Sequence, residues 1–194
     1  MGAWGQEVRE RWLWQAGLVT SAQHDPSALL TLDVDGGTFR LRHATRADLP
    51  DILELLADDQ LGATREDSSE MAPYERAFEA IDGDPAHLLV VGELLETGEP
   101  GEPAGAVVAT FQLSFIPGLS RRGAWRSQLE AVRVSARQRG LGIGAAMVQW
   151  AAEESRRRGC ALMQLTTDKS RKDAHRFYER LGFAASHEGM KLTL

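Results

Sequence analysis

The sequence predicts an α/β (α+β) fold, and three observations carry that reading. Short runs with apolar residues at every second position interleave with longer runs at helical spacing. One such strand pattern, Leu129 to Val134, leads through the glycine-rich Arg139-Gly140-Leu141-Gly142-Ile143-Gly144 into an amphipathic helix pattern. No internal repeat and no linker divides the chain into two units.

Taken in order, Trp4, Val8, Trp12 and Gln15 mark a possible short helix, and the polar stretch from Ser21 to Ser27 ends it. Leu30, Leu32 and Val34 alternate, Asp35-Gly36-Gly37 supplies a turn, and Phe39 and Leu41 resume the alternation, so a hairpin leads into the main domain. The domain reading is therefore an N-terminal extension over residues 1–37, a helix plus an extra strand, followed by one domain over 38–194. Thr38 to His43 reads as a strand, and Thr45 N-caps a helix from Arg46 to about Gln60 with Ile52, Leu53, Leu55 and Leu56 inward. Thr64 to Glu70 is an acidic loop, and Pro73 opens a helix reaching Ile81. Strands follow at Leu88–Leu95 and Ala104–Phe115, separated by a turn over Glu96–Pro103; Pro117-Gly118 then breaks the chain. Ala124 to Val134 is the strand that meets the glycine loop. Strict alternation there puts Leu129, Ala131 and Arg133 on one face and Glu130, Val132 and Val134 on the other. A helix runs to Arg158, a strand from Leu162 to Thr167, a helix from Lys172 to Leu181 stopping at Gly182, and a last strand from Met190 to Leu194.

Bulk properties narrow the function. A length of 194 residues suits one packed core. No apolar run approaches the roughly 20 residues of a membrane span, and Glu7 and Glu10 interrupt any signal-peptide pattern. Cys160 is alone, so neither a disulfide framework nor a cysteine metal cluster is expected; it reads as a small buried residue. The histidines lack metal-ligand spacing, so no metal is implied. A formal net charge of −6 argues against a nucleic-acid partner. The basic run Arg156-Arg157-Arg158 complements a helix C-terminus and leads into Gly159. A cytoplasmic protein without a membrane partner is the expectation. The extra tryptophans near the N-terminus read as a packing arm or a dimer contact.

The glycine loop is an anion cradle in chemical terms. Its amides approach a ligand with no Cβ in the way, and they lie at a helix N-terminus, where partial positive charge favours phosphate. Taken alone, the loop leaves three readings. Gly140, Gly142 and Ala145 satisfy a dinucleotide fingerprint, with Asp168 further on. Against this, Ser135 to Arg139 separates the strand from the first glycine, and only one more strand–helix unit follows. A Walker-type loop is excluded, because no G-K-[ST] is present. An inert glycine turn stays open. No G-x-S-x-G elbow supports a serine hydrolase.

Arg139, Gly142 and Gly144 meet the pattern R/Q-x-x-G-x-G/A, and Ala174-His175-Arg176-Phe177-Tyr178 precedes Leu181-Gly182-Phe183 one strand later. In these two motifs, and in element order from residue 38, the chain resembles the Gcn5-related N-acetyltransferase (GNAT) superfamily over roughly its last four-fifths. The resemblance implies a central mixed, mostly antiparallel sheet of about six to seven strands flanked by about four helices. It also implies acetyl-CoA as acetyl donor to a primary amine. The pyrophosphate would lie on the loop amides of Arg139, Gly140, Leu141, Gly142, Ile143, Gly144 and Ala145. The peptide-like pantetheine arm would pair with the strand from Glu130 through Val132 and Val134, as an added strand would.

An alkylammonium with a pKa near ~10.4 is protonated at neutral pH and only the free amine attacks, so a base is useful. Glu130 is the candidate by the resemblance; read alone it is an exposed strand carboxylate. The departing thiolate, with a pKa near ~8.5, benefits from a proton donor. Tyr178 matches the family's general acid; read alone it is an aromatic packing the last helix. Many members carry an asparagine where this chain has Arg171, which puts the usual amide contact in doubt and leaves Arg171 or Lys169 to reach a CoA phosphate. The run from Leu165 to Tyr178, with Ser186-His187 beyond, is similar to aminoalkylphosphonate and small-amine acetyltransferases. His175 and His187 are therefore candidates for substrate contact, although such histidines are more often structural. A small-molecule amine is the expected acceptor, contacted by the Leu61–Tyr74 loop, the turn after Phe115 and the region of His187. A protein-lysine or N-terminal acetyltransferase and a non-enzymatic CoA-sensing regulatory module are the alternatives. Dimers are common for such folds, which makes a homodimer an open expectation.

Overall fold

The computed structural model describes residues 27–35, 37–58, 66–95 and 104–193. The N-terminal helix expected from Trp4, Val8, Trp12 and Gln15, and the whole of the turn over Glu96–Pro103, lie outside the described residues. Six strands form one sheet in sequence order: β1 (Leu30–Val34), β2 (Gly37–His43), β3 (His87–Leu94), β4 (Ala106–Ile116), β5 (Trp125–Val134) and β6 (Cys160–Leu165). Neighbours are antiparallel except β5 and β6, which run parallel. A parallel pair needs a crossover, and the helix between these two strands supplies it. Among the described residues four helices of nine or more residues flank the sheet: α1 (Leu49–Ala57), α2 (Ala72–Asp82), α3 (Ile143–Arg157) and α4 (Lys172–Arg180). The mixed, mostly antiparallel sheet with flanking helices agrees with the sequence expectation.

Each sheet face has its own core, because side chains alternate along a strand. On one face Phe39, Leu41, Val90, Phe111, Leu113 and Leu129 pack with Ile143, Met147, Val148 and Ala151 of α3. The Trp150 indole of that helix donates to the Leu29 carbonyl at 3.0 Å and tilts against Phe111, tying α3 to the strand edge at β1. On the other face Val91, Leu49, Ile52 and Phe78 form a smaller core under α1 and α2. The same face carries a buried ionic network. Glu93 accepts from Arg40 and Arg42, and Arg42 also reaches Asp48 through two bonds of 2.8 Å.

Several expected boundaries differ. The helix expected from Arg46 to Gln60 opens as a 3-10 turn, Arg46–Asp48, before α1. Asp48 closes that turn by accepting from the amide and hydroxyl of Thr45 at 2.7 and 2.9 Å. The strand expected from Leu162 begins at Cys160, because Gly159, at φ 77°, ends α3 and passes the chain directly into β6. The expected last strand from Met190 is absent: residues 183–193 hold no regular element, and Met190 is 97 % exposed. A period-two run forms a strand only where an edge pairs with it and a face covers it, and here neither happens.

The alternation along β5 is also corrected. Its register against β4 runs Gln112↔Glu130 and then Thr110↔Arg133, so one residue is inserted beside Phe111. Ala131 sits at the insertion with φ 54°, a left-handed conformation that is costly for a residue with a Cβ. Across this bulge Glu130 and Arg133 share the α1 and α2 face, while Leu129, Val132 and Val134 turn toward the α3 core.

Candidate active site

The site grows from the place where β5 and β6 part. Their pairing ends at Leu129↔Leu165, whereas β5 continues to Val134 on β4. From Glu130 onward the β6-side edge of β5 therefore carries no ladder partner from β6. An extended ligand segment with amide groups can occupy such an edge, the backbone supplying the hydrogen bonds. Val132 and Val134 offer only main chain to it, since their side chains pack against the core.

The glycine loop follows directly. Ser135 bonds to the Val108 carbonyl, the 3-10 turn Ala136–Gln138 turns the chain, and Arg139 leads to Gly140 and Gly142 at φ 90° and 80°. Gly142 is the N-cap of α3, and no side chain caps the helix. The first helical amide bond is Ala146 to the Gly142 carbonyl, 3.0 Å. The amides of Ile143, Gly144 and Ala145 thus precede the helical ladder and face outward from its N-terminus, as an anion requires. Ile143 itself is 1 % exposed, so its side chain is core and its amide is what it contributes. Leu141 likewise packs against the core. The Arg139 guanidinium folds back toward the Val134 carbonyl and lies 3.8 Å from Asp58 at the end of α1.

Helix α4, which carries Tyr178, meets this junction through the neighbouring Phe177. A Cβ placed on Gly144 would stand 3.5 Å from the Phe177 ring and 3.7 Å from Val134, so α4, the loop and the end of β5 meet closely there. Tyr178 packs edge-on between Phe177 and Phe183. Burial pushes its phenol above the usual tyrosine value, and the positive charges of Arg171 and Arg133 counter part of that rise. The hydroxyl is therefore protonated at neutral pH and able to donate a proton. Arg171, at the N-cap of α4, acts on Tyr178 through its charge. Arg133 escaped the sequence reading: strict alternation placed it opposite Glu130, and only the bulge brings the two to one face.

Glu130 is exposed and lies one residue beyond the last β5–β6 pair. One carboxylate oxygen accepts from Gln128 at 2.8 Å, and Gln128 in turn accepts from Gln164 at 2.6 Å. Sequence reasoning singled out neither glutamine, since nothing in a lone glutamine marks it before the strand register is known. The histidines engage local partners: His175 the Asp168 carbonyl at 3.1 Å, and His187 the Ser186 hydroxyl at 2.8 Å. Burial pushes the Cys160 thiol up, with Arg158 opposing, so it is a poor nucleophile. In the Leu61–Tyr74 segment, residues up to 65 lie outside the described ones, and Tyr74 bonds Glu66 at 3.0 Å.

Comparison with known proteins fits this geometry. Residues 49–183 match the family model of the acetyltransferase (GNAT) family. The chain is 30 % identical over 149 residues, 76 % of its own length and 86 % of the relative's, to an aminoalkylphosphonate N-acetyltransferase of Salmonella typhimurium. It is also 30 % identical over 145 residues, 73 % of its length and 82 % of the relative's, to a thialysine N-epsilon-acetyltransferase of Bos taurus. A crystal structure of a transcriptional regulator from Bacillus halodurans superposes with TM-score 0.72 at 42 % identity, covering 80 % of this chain and 99 % of that one. An open β5 edge running into an uncapped glycine loop, over the stretch the family model spans, leads to one conclusion: the chain belongs to the GNAT family of acetyl-CoA-dependent acetyltransferases.

Proposed function

We propose that this protein transfers the acetyl group of acetyl-CoA to the primary amine of a small molecule by direct attack. The observation that carries the reading is the junction of three elements. The edge of β5 beyond its pairing with β6 suits the amide-bearing arm, the amides of Ile143 to Ala145 suit the pyrophosphate, and α4, which carries Tyr178, meets the loop and the end of β5 through Phe177. Arg139 adds positive charge at the loop, and Arg171 adds it at the start of α4.

In this reading Glu130, directly or through water, takes a proton from the acceptor ammonium. The freed nitrogen lone pair attacks the thioester carbonyl carbon. The C–N bond forms, the C–S bond breaks, and the Tyr178 hydroxyl delivers its proton to the departing sulfur. The phenolate left behind is re-protonated from solvent, Glu130 releases its proton to solvent, and the nitrogen loses its remaining extra proton. The face bearing Glu130 is also the face of α1 and α2, so the acceptor enters from that side. The names of the aminoalkylphosphonate and thialysine enzymes support nitrogen of a small molecule as acceptor.

Thiol release measured with acetyl-CoA against a panel of small amines tests the reading, and turnover with at least one of them is expected. The likeness to a transcriptional regulator at 42 % identity favours a second reading, a CoA-responsive regulatory module. Tight CoA binding without turnover on any small amine, peptide or protein N-terminus would select it.

A further inference from the structure

We propose that Gln128, itself oriented by Gln164, is a positioning residue for the Glu130 carboxylate. The proposal rests on Glu130 acting as the base. Register places Ser114, Gln128 and Gln164 on one rung across β4, β5 and β6, with the Gln112 and Glu130 pair two residues further along. Gln128 and Glu130, two apart and both before the bulge, project from the same face.

The pair of hydrogen bonds has a direction. A carboxamide has one accepting end and one donating end. Gln164 Nε2 donates to Gln128 Oε1 at 2.6 Å, and this leaves the Gln128 amino group to donate to Glu130 Oε1 at 2.8 Å. One Glu130 oxygen is thereby engaged and the other stays available for a proton. The rung lies one residue before the strands part at Leu129 and Leu165. It is the last place where β6 can brace a side chain of β5 next to the open edge. An exposed glutamate otherwise samples many rotamers, and a base acts efficiently only when held in reach of its proton.

Kinetics on the full chain, with acetyl-CoA and the amine most rapidly turned over in the panel, test this. Gln128→Met keeps length and loses both polar ends; it is expected to lower kcat about tenfold. The KM for acetyl-CoA should not change, since the loop and the β5 edge are untouched. Gln164→Met, one bond further away, is expected to lower kcat by a smaller factor. In a Glu130→Gln background, Gln128→Met is expected to change kcat by less than about twofold, because residues acting through one group are non-additive. Wild-type kcat in Gln128→Met, or an equal loss in both backgrounds, overturns the proposal while leaving the acetyltransferase reading intact. Wild-type turnover in Glu130→Gln overturns both the base assignment and the proposal.

Discussion

Tyr178 and Glu130 differ in their surroundings, the first partly buried among aromatic rings and the second exposed. Tyr178 sits among Phe177, Phe183 and the core, and burial holds its hydroxyl in the neutral form in spite of two nearby arginines. Replacing it with phenylalanine keeps the packing and removes only the donor. Tyr178→Phe is predicted to lower kcat roughly 100-fold with acetyl-CoA affinity retained, measured by steady-state turnover and by calorimetric titration. Because burial raises the phenol above the usual tyrosine value, the share of turnover that needs its proton should persist across the neutral range and fall only at higher pH. A pH–rate profile comparing wild type with Tyr178→Phe checks the sign: the two should converge in strong alkali. Both residues were legible as candidates from the motifs around them. Their partners were not, since Arg133 and Gln128 owe their roles to strand register.

At the scale of elements, the loop from Arg139 to Ala145 was the most legible part of the site. Glycines at φ 90° and 80° do what a glycine-rich helix start suggests, giving left-handed turns and free amides. Gly142→Glu would strain that turn by about 1 kcal/mol and set a like charge against the pyrophosphate. It is predicted to weaken acetyl-CoA binding at least about 100-fold, read by titration, with the fold retained by circular dichroism. The bulge at Ala131 left no such trace. Ala is an ordinary strand residue in a pattern that alternates well, and the inserted residue becomes visible only when β4 is laid beside β5. The last strand failed for a related reason: Met190 and Leu192 alternate convincingly, yet alternation does not say whether an edge is there to receive them.

Over the whole molecule, the sheet holds two unequal cores, and the smaller one is braced by charge. Arg42 links Asp48 and Glu93, both nearly buried, while Thr45 supplies two further bonds to Asp48. Burial alone would raise the Asp48 carboxyl; the Arg42 and Thr45 contacts outweigh it and hold the group below the usual carboxylate range. Arg42→Ala takes the arginine partner from buried Asp48 and leaves Glu93 to Arg40 alone, and is predicted to cost about 3 kcal/mol, read by chemical denaturation. A carboxylate depressed in the folded state stabilises above its unfolded value and loses that contribution as pH falls through the folded one. The melting temperature should accordingly drop on acidification below the usual carboxylate range, and less steeply in Asp48→Asn, whose side chain does not titrate.

Composition and periodicity by themselves determined the class of fold, the order of most elements and the glycine cradle, because each rests on neighbours within a few residues of one another. The motif resemblance added the chemistry and named Tyr178 and Glu130. Tertiary structure alone decided which face each side chain takes after Ala131, where β5 and β6 part, and which partners brace Glu130. Those facts depend on pairing between segments far apart in the chain, and a shift of one residue in that pairing turns every later side chain to the opposite face.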